Sequence, residues 1–131
     1  MSNSSDAILR ELRAFGLGLP GTESASPWPG HDDLRVNNKT FAFLSVEGEP
    51  FSLSCKLAYT SEAALELPYA SPTHYGMGKW GWVTLRPSDA EMPSFDQLKE
   101  WVEESYRSQA PRKLVKELDA RSEGGSSGLI P

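Results

Sequence analysis

The sequence holds one cysteine, Cys55, and only two histidines, His31 and His74. A lone thiol excludes an internal disulfide, and these three soft ligands show no spacing that would hold a metal. Basic residues are also in short supply, 13 Lys and Arg against 18 Asp and Glu, for a net charge of −5. That balance argues against a strong, sequence-indifferent nucleic-acid binder, because neutralised phosphates supply most of such affinity. It leaves room for a local basic patch. No stretch approaches the roughly 20 apolar residues of a membrane span. The polar start, Met1 to Asp6, is no basic region leading into an apolar signal core. The expected location is the cytoplasm, with no membrane partner.

Catalytic signatures are missing too. The one Gly-x-Ser-x-Gly string, Gly124–Gly128, lies in the Gly- and Ser-rich end segment and not at a strand-to-helix elbow. The glycine spacings Gly16-Gly18-Gly21 and Gly76-Gly78-Gly81 do not lie between a strand and a helix, so neither reads as a phosphate-cradling loop. Gly76-Met77-Gly78-Lys79 resembles a fragment of one but lacks the Ser or Thr after Lys and a strand before it. The expectation is a protein without catalytic residues, metal or cofactor. An enzyme would need the fold to bring His74 or His31 beside a carboxylate in a pocket.

What remains is ordinary core material: 131 residues, 38% hydrophobic, four of them Trp, enough for one domain. Ile8, Leu9, Leu12 and Phe15 recur at helical spacing and predict a helix over Ser5–Phe15, capped by Ser5 and stopped by Gly16, Gly18 and Pro20-Gly21. Thr22–Asp33, rich in Ser, Pro and Gly, reads as loop with room for one short edge strand. Leu34–Val36 reads as a short strand, Asn37-Asn38 as a two-residue hairpin turn, and Phe41–Val46 as a central strand with apolar groups on both faces. Past the Glu47–Pro50 turn, Phe51, Leu53, Cys55 and Leu57 alternate with Ser52, Ser54 and Lys56, a one-sided strand. The cysteine then behaves as a small buried hydrophobe.

A short helix fits Ser61–Leu67, Tyr69–Gly81 reads as loop, and Trp82–Leu85 as a strand. Phe95–Arg107 carries a Ser94/Gln97 capping box and an apolar face of Phe95, Leu98, Trp101, Val102, Ser105 and Tyr106. Arg112–Ala120 closes the domain, assigned to residues 1–120. The Gly- and Ser-rich segment 121–131 is expected to be disordered. Short turns between successive strands require antiparallel pairing, so the architecture is α+β in two layers, helices covering one face of the sheet.

The most unusual composition is Tyr75–Trp82, where aromatics flank Lys79. Lys79 and Trp80 could meet a phosphate and stack on a base, although Trp80 and Trp82 could equally anchor loop and strand to the core. Lys56 projects from the polar side of its strand, and Arg35 and Lys39 flank the hairpin. Together they define a modest basic surface, or else a scatter of solubilising charges. Arg112, Lys113 and Lys116 read as the exposed side of the last helix.

Several segments, taken in order, resemble the MmcQ/YjbR family: Leu19-Pro20-Gly21-Thr22-Glu23, Lys39–Leu44, Leu53-Ser54-Cys55-Lys56-Leu57, Tyr75–Leu85 and Glu104-Ser105-Tyr106. The resemblance runs from about Ser5 to Ala120 and departs from the family at Ser24–Pro29, where a more regular strand is usual. It implies a CyaY-like fold with a curved antiparallel sheet and helices on one side. It also brings an association with DNA, because paired hairpin wings have been suggested to grip a duplex, and it brings no catalytic residues. Two expectations follow. One is weak, salt-sensitive DNA binding through Arg35, Lys39, Lys56, Lys79 and Trp80; the alternative is a protein- or small-ligand-binding domain that uses the open sheet face.

Overall fold

The computed structural model describes residues 4–25, 32–74 and 77–129, with side chains over 5–25, 32–74 and 77–121. Helix α1 (Ser4–Leu17) is followed by strands β1 (Thr22–Ala25), β2 (Asp33–Val36), β3 (Lys39–Leu44) and β4 (Leu53–Lys56). After helix α2 (Ser61–Leu65) come β5 (Ala70–Pro72), β6 (Trp82–Leu85), α3 (Phe95–Gln109) and α4 (Arg112–Leu129). The strands form one sheet in the order β1-β2-β3-β4-β6-β5, every pairing antiparallel. This is the expected α+β arrangement. α1 and α3 pack on each other and on β1 to β4, while α2 packs on β5 and β6.

Local chemistry accounts for the joints. Asn37 and Asn38 adopt φ of 51° and 64°, the paired left-handed geometry that closes a two-residue hairpin and that asparagine tolerates. The Ser94 hydroxyl accepts from the Gln97 amide at 3.1 Å and starts α3 where the capping pattern predicts. Gly16 lies against the Leu34 side chain with no space for a Cβ, so α1 and β2 approach as closely as backbone allows.

The core-facing side of β4 is as the alternation predicts: Phe51, Leu53, Cys55 and Leu57 are all buried. Leu53 and Cys55 stand in register with Leu44 and Ala42 of β3 and with Leu85 and Val83 of β6, so one apolar layer crosses the sheet's centre. Leu98, Trp101, Val102 and Tyr106 of α3, with Leu9 and Leu12 of α1, cover it. Burial pushes the Cys55 thiol well above its ordinary range, and the nearby Glu104 carboxylate adds to this, so it exists as an inert thiol.

The β2–β3 register slips by one residue between Leu34 and Arg35, so Leu34 faces Ala42 while Arg35 faces Thr40. Phe41 is the extra residue of this bulge. A bulge re-aims a side chain, and Phe41 points into the core, edge-on to Tyr106 with ring centroids 5.4 Å apart. The slip also interrupts the β3–β4 ladder, whose pairing ends at Ala42 and Cys55. Ser105 of α3 fills the gap. Its hydroxyl donates to the Phe41 carbonyl at 2.5 Å and accepts from the Lys56 amide at 2.8 Å. On either side, the Tyr106 hydroxyl donates to the Pro20 carbonyl at 2.7 Å, and Glu104 accepts from the amides of Tyr59 and Thr60 at 2.8 and 3.1 Å. Three consecutive residues thus tie α3 to three separate segments.

Several expectations change. Ser5 is not a terminal cap but lies buried within α1, which starts at Ser4. β5 forms inside a stretch expected to be loop; it is an edge strand, where Pro72 costs no ladder bond to the interior. The strand expected over Phe51–Leu57 shortens to Leu53–Lys56. β1 supplies the short edge strand for which Thr22–Asp33 had room, and Pro27, Pro29 and His31 lie outside the described residues. α4 runs past Ala120 to Leu129, and Arg121 donates to the Gly18 carbonyl at 2.8 Å, an anchor at the end of α1 that composition alone did not announce.

Two outcomes check this packing. Ser105→Ala leaves a buried carbonyl and amide unpaired and should cost about 2 kcal/mol by urea denaturation, against about 1 kcal/mol for Tyr106→Phe. Cys55 should resist iodoacetamide at mildly alkaline pH in the native protein and react once urea unfolds it.

Candidate functional site

Antiparallel register brings one set of chain segments to the same end of the sheet. β2 ends there, β3 begins, β4 ends and β6 begins, so the Asn37-Asn38 hairpin, the β4–α2 connection and the β5–β6 loop are neighbours. Arg35, Lys39, Lys56, Lys79 and Trp80 all sit at this end. Arg35 and Lys56 project to the side away from the helices, since Leu34, Val36 and Cys55 beside them point into the core. They stand on β2 and β4, roughly 10 Å apart at the usual strand spacing. Lys39 pairs with Val36 and lies exposed on the helix-side rim of the hairpin.

Lys79 and Trp80 belong to a single 3-10 turn, Met77–Trp80, that folds back on β5 and β6. The Gly78 amide donates to the Thr73 carbonyl at 3.2 Å. Gly81 then takes φ of 89°, and its carbonyl accepts from the Leu57 amide at 2.8 Å, pinning the turn to the end of β4. Trp80 is 65% exposed, with the Lys79 ammonium 5.6 Å from the ring centroid. The neighbouring Trp82 is 7% exposed and packs on Phe43 at 5.4 Å between centroids. One tryptophan anchors the strand and the other faces solvent.

Among the described residues, none of Arg35, Lys39, Lys56 and Lys79 lies within ion-pair distance of a carboxylate, although Glu23 stands opposite Arg35 on β1. Arg10, Arg13, Lys99 and Arg107, placed elsewhere, are each paired. Two further cations join the group. Gln109 donates to the Thr40 carbonyl at 3.1 Å and Leu114 packs on Gly21, which sets the start of α4, with exposed Arg112 and Lys113, beside the same end. Glu47 and Glu49 in the β3–β4 turn, Asp6 bonded to the Gly48 amide, and Asp89 and Glu91 beyond β6 occupy the opposite end. A net-acidic chain therefore carries a cationic pole.

The sheet face opposite the helices is not bare. Ser54 and Thr84 are 7% and 4% exposed, and their hydroxyls bond each other at 2.8 Å, with Thr73 adding a second bond to Thr84 at 2.9 Å. The serine side of β4, expected to be free for a ligand, is spent on its neighbour strand. Ser52 and Lys56 remain half-exposed, on either side of the buried Ser54.

Two shallow clefts carry no arrangement suited to catalysis. One, of 310 Å³, lies between α2 and α3 and includes Glu104, whose carboxylate is held by Tyr59, Thr60 and the Thr60 hydroxyl. The other, of 290 Å³, is lined by Arg10, Arg13, Asp32 and Glu47, which pair off as Arg10–Glu47 at 2.6 Å and Arg13–Asp32 at 3.0 Å. No group of three or more His, Cys, Asp or Glu that could hold a metal occurs among the described residues. No helix there is long and apolar enough to cross a membrane.

Sequence reasoning missed Tyr59, 90% exposed just after β4. A large aromatic beyond the point where the alternation stops, unclaimed by any helix, was the available signal. The contrast between the two tryptophans is checkable. Trp80→Ala should shift stability by no more than about 0.5 kcal/mol, whereas Trp82→Ala should cost about 3 kcal/mol in the same urea titration.

The YjbR family model matches residues 17–108, well over half of the chain. The crystal structure of Deinococcus radiodurans protein DR2400, with the family-model domain DUF419, aligns with a TM-score of 0.66. The two are 21% identical, over 85% of this chain and 87% of that one, a likeness of fold. The curated proteins contain no match to the sequence.

Proposed function

The chain belongs to the YjbR family, and we propose that it is a binding module, not an enzyme, whose cationic end grips a nucleic-acid backbone. One observation carries the reading: Arg35, Lys39, Lys56 and Lys79, unpaired among the described residues, meet at one end of the sheet beside an exposed Trp80. Unpaired ammonium and guanidinium groups keep their full attraction for phosphate, because no carboxylate must first be displaced. Glu47, Glu49, Asp89 and Glu91 stand at the opposite end, while Glu23 and Glu104 are the acids placed near the cations. A local excess of positive charge can steer a polyanion despite the net charge of −5. A ligand on the sheet face opposite the helices is less well supported, since Ser54, Thr84 and Trp82 are already buried there.

Four phosphate contacts predict a marked salt dependence. Affinity for labelled DNA should fall roughly fiftyfold or more between about 50 and 200 mM salt, and Lys56→Ala or Lys79→Ala should each lower the slope by about one. Absence of binding at about 50 mM salt, with the protein folded, would overturn the reading.

A further inference from the structure

Two aromatic side chains stand out of the surface beside the cationic end. Tyr59 is 90% exposed and Trp80 is 65% exposed, and the large hydrophobics otherwise exposed among the described residues are aliphatic: Leu17 and Leu65. The pair is far apart in sequence, but the segments that carry the two rings meet at Leu57 and Gly81. The Gly81 carbonyl accepts from the Leu57 amide at 2.8 Å, and a Cβ at Gly81 would press on the Leu57 carbonyl. Trp80 is one residue from that contact and Tyr59 two, steps of about 3.8 Å per residue along each chain segment.

Both backbones are held. Glu104 accepts from the Tyr59 amide at 2.8 Å, and the Gly81 amide donates to the Gly78 carbonyl at 3.0 Å. Exposed rings on fixed backbones give up little conformational freedom on binding, which favours a stacking role. Lys56 ends the strand that leads to Tyr59, and Lys79 precedes Trp80, so each ring has a cation close by in the chain.

We infer that Tyr59 and Trp80 form a two-ring stacking platform, and that the nucleic acid taken by this end is a single strand with unpaired bases. The inference rests on the nucleic-acid reading above and adds the class of strand. Bases in a duplex already stack on one another and offer their faces to no side chain. An unpaired strand presents every face, and a tyrosine and a tryptophan each gain from covering one. Neighbouring lysines would meet the phosphates between stacked bases. Because any base has a flat face, the platform should show little sequence preference.

The test uses the whole chain, a fluorescein-labelled thymidine strand of about 15 nucleotides, and a duplex of equal length, with anisotropy read at about 50 mM salt. The single strand should bind roughly tenfold or more tighter than the duplex. It should also quench the emission of Trp80, identified by the loss of that quench in Trp80→Ala. Trp80→Ala and Tyr59→Ala should each weaken the single strand roughly tenfold, and Tyr59→Ala should leave duplex binding within about twofold, with urea midpoints near wild type. Equal affinity for both forms, or variants that bind the single strand unchanged, would overturn the stacking platform and leave the cationic grip intact. Failure of both forms to bind would overturn the two together.

Discussion

The Ser105 hydroxyl, wedged between β3 and β4, is the contact on which the arrangement turns. The extra residue that aims Phe41 inward leaves the facing carbonyl and the Lys56 amide without their usual partners, and a buried unpaired pair would be costly. One side chain satisfies both. Because the serine sits mid-helix, that single group also sets the height and rotation of α3 over the sheet. The flanking Glu104 and Tyr106 then fall on the β4–α2 connection and on the loop before β1. Core packing and surface geometry are coupled here, since the strand end that Ser105 holds is the one that carries Lys56.

That coupling explains how an acidic protein can present a basic pole. Register alone decides which loops are neighbours, and it gathers the hairpin, the end of β4 and the β5–β6 loop. The α3–α4 corner is added by Gln109 and Leu114. Acidic side chains cap or brace the far end, where Asp6 and Glu47 hold the β3–β4 turn to α1. The local gathering of cations is a product of topology as much as of composition.

Much of the fold was legible because its signals are local. The alternation of Phe51 to Leu57 announced the inward face of β4, Asn37-Asn38 announced the hairpin, and Ser94 announced α3. What escaped depends on partners distant in the chain. The burial of Ser54 is settled by Thr84, thirty residues on, and the bulge at Phe41 is settled by Ser105, sixty-four residues on. β5 is three residues long and contains a proline, so only its pairing with β6 makes it a strand. In the same way, the five candidate residues could be named one by one. Their shared position, the company of Tyr59 and the split between Trp80 and Trp82 required the register and the Gly81 contact.

Pro72 has a consequence of its own at the sheet's outer border. Tyr69 and Thr73 use their backbone groups on β6, so Ala70 and Pro72 turn theirs outward. Pro72 has no amide hydrogen, and the Ala70 amide is taken by the Leu67 carbonyl at 3.1 Å. This border therefore offers no donor to an incoming chain. Strand addition and fibre growth are disfavoured along it, and the proline that hid β5 from recognition also discourages the sheet from growing past it.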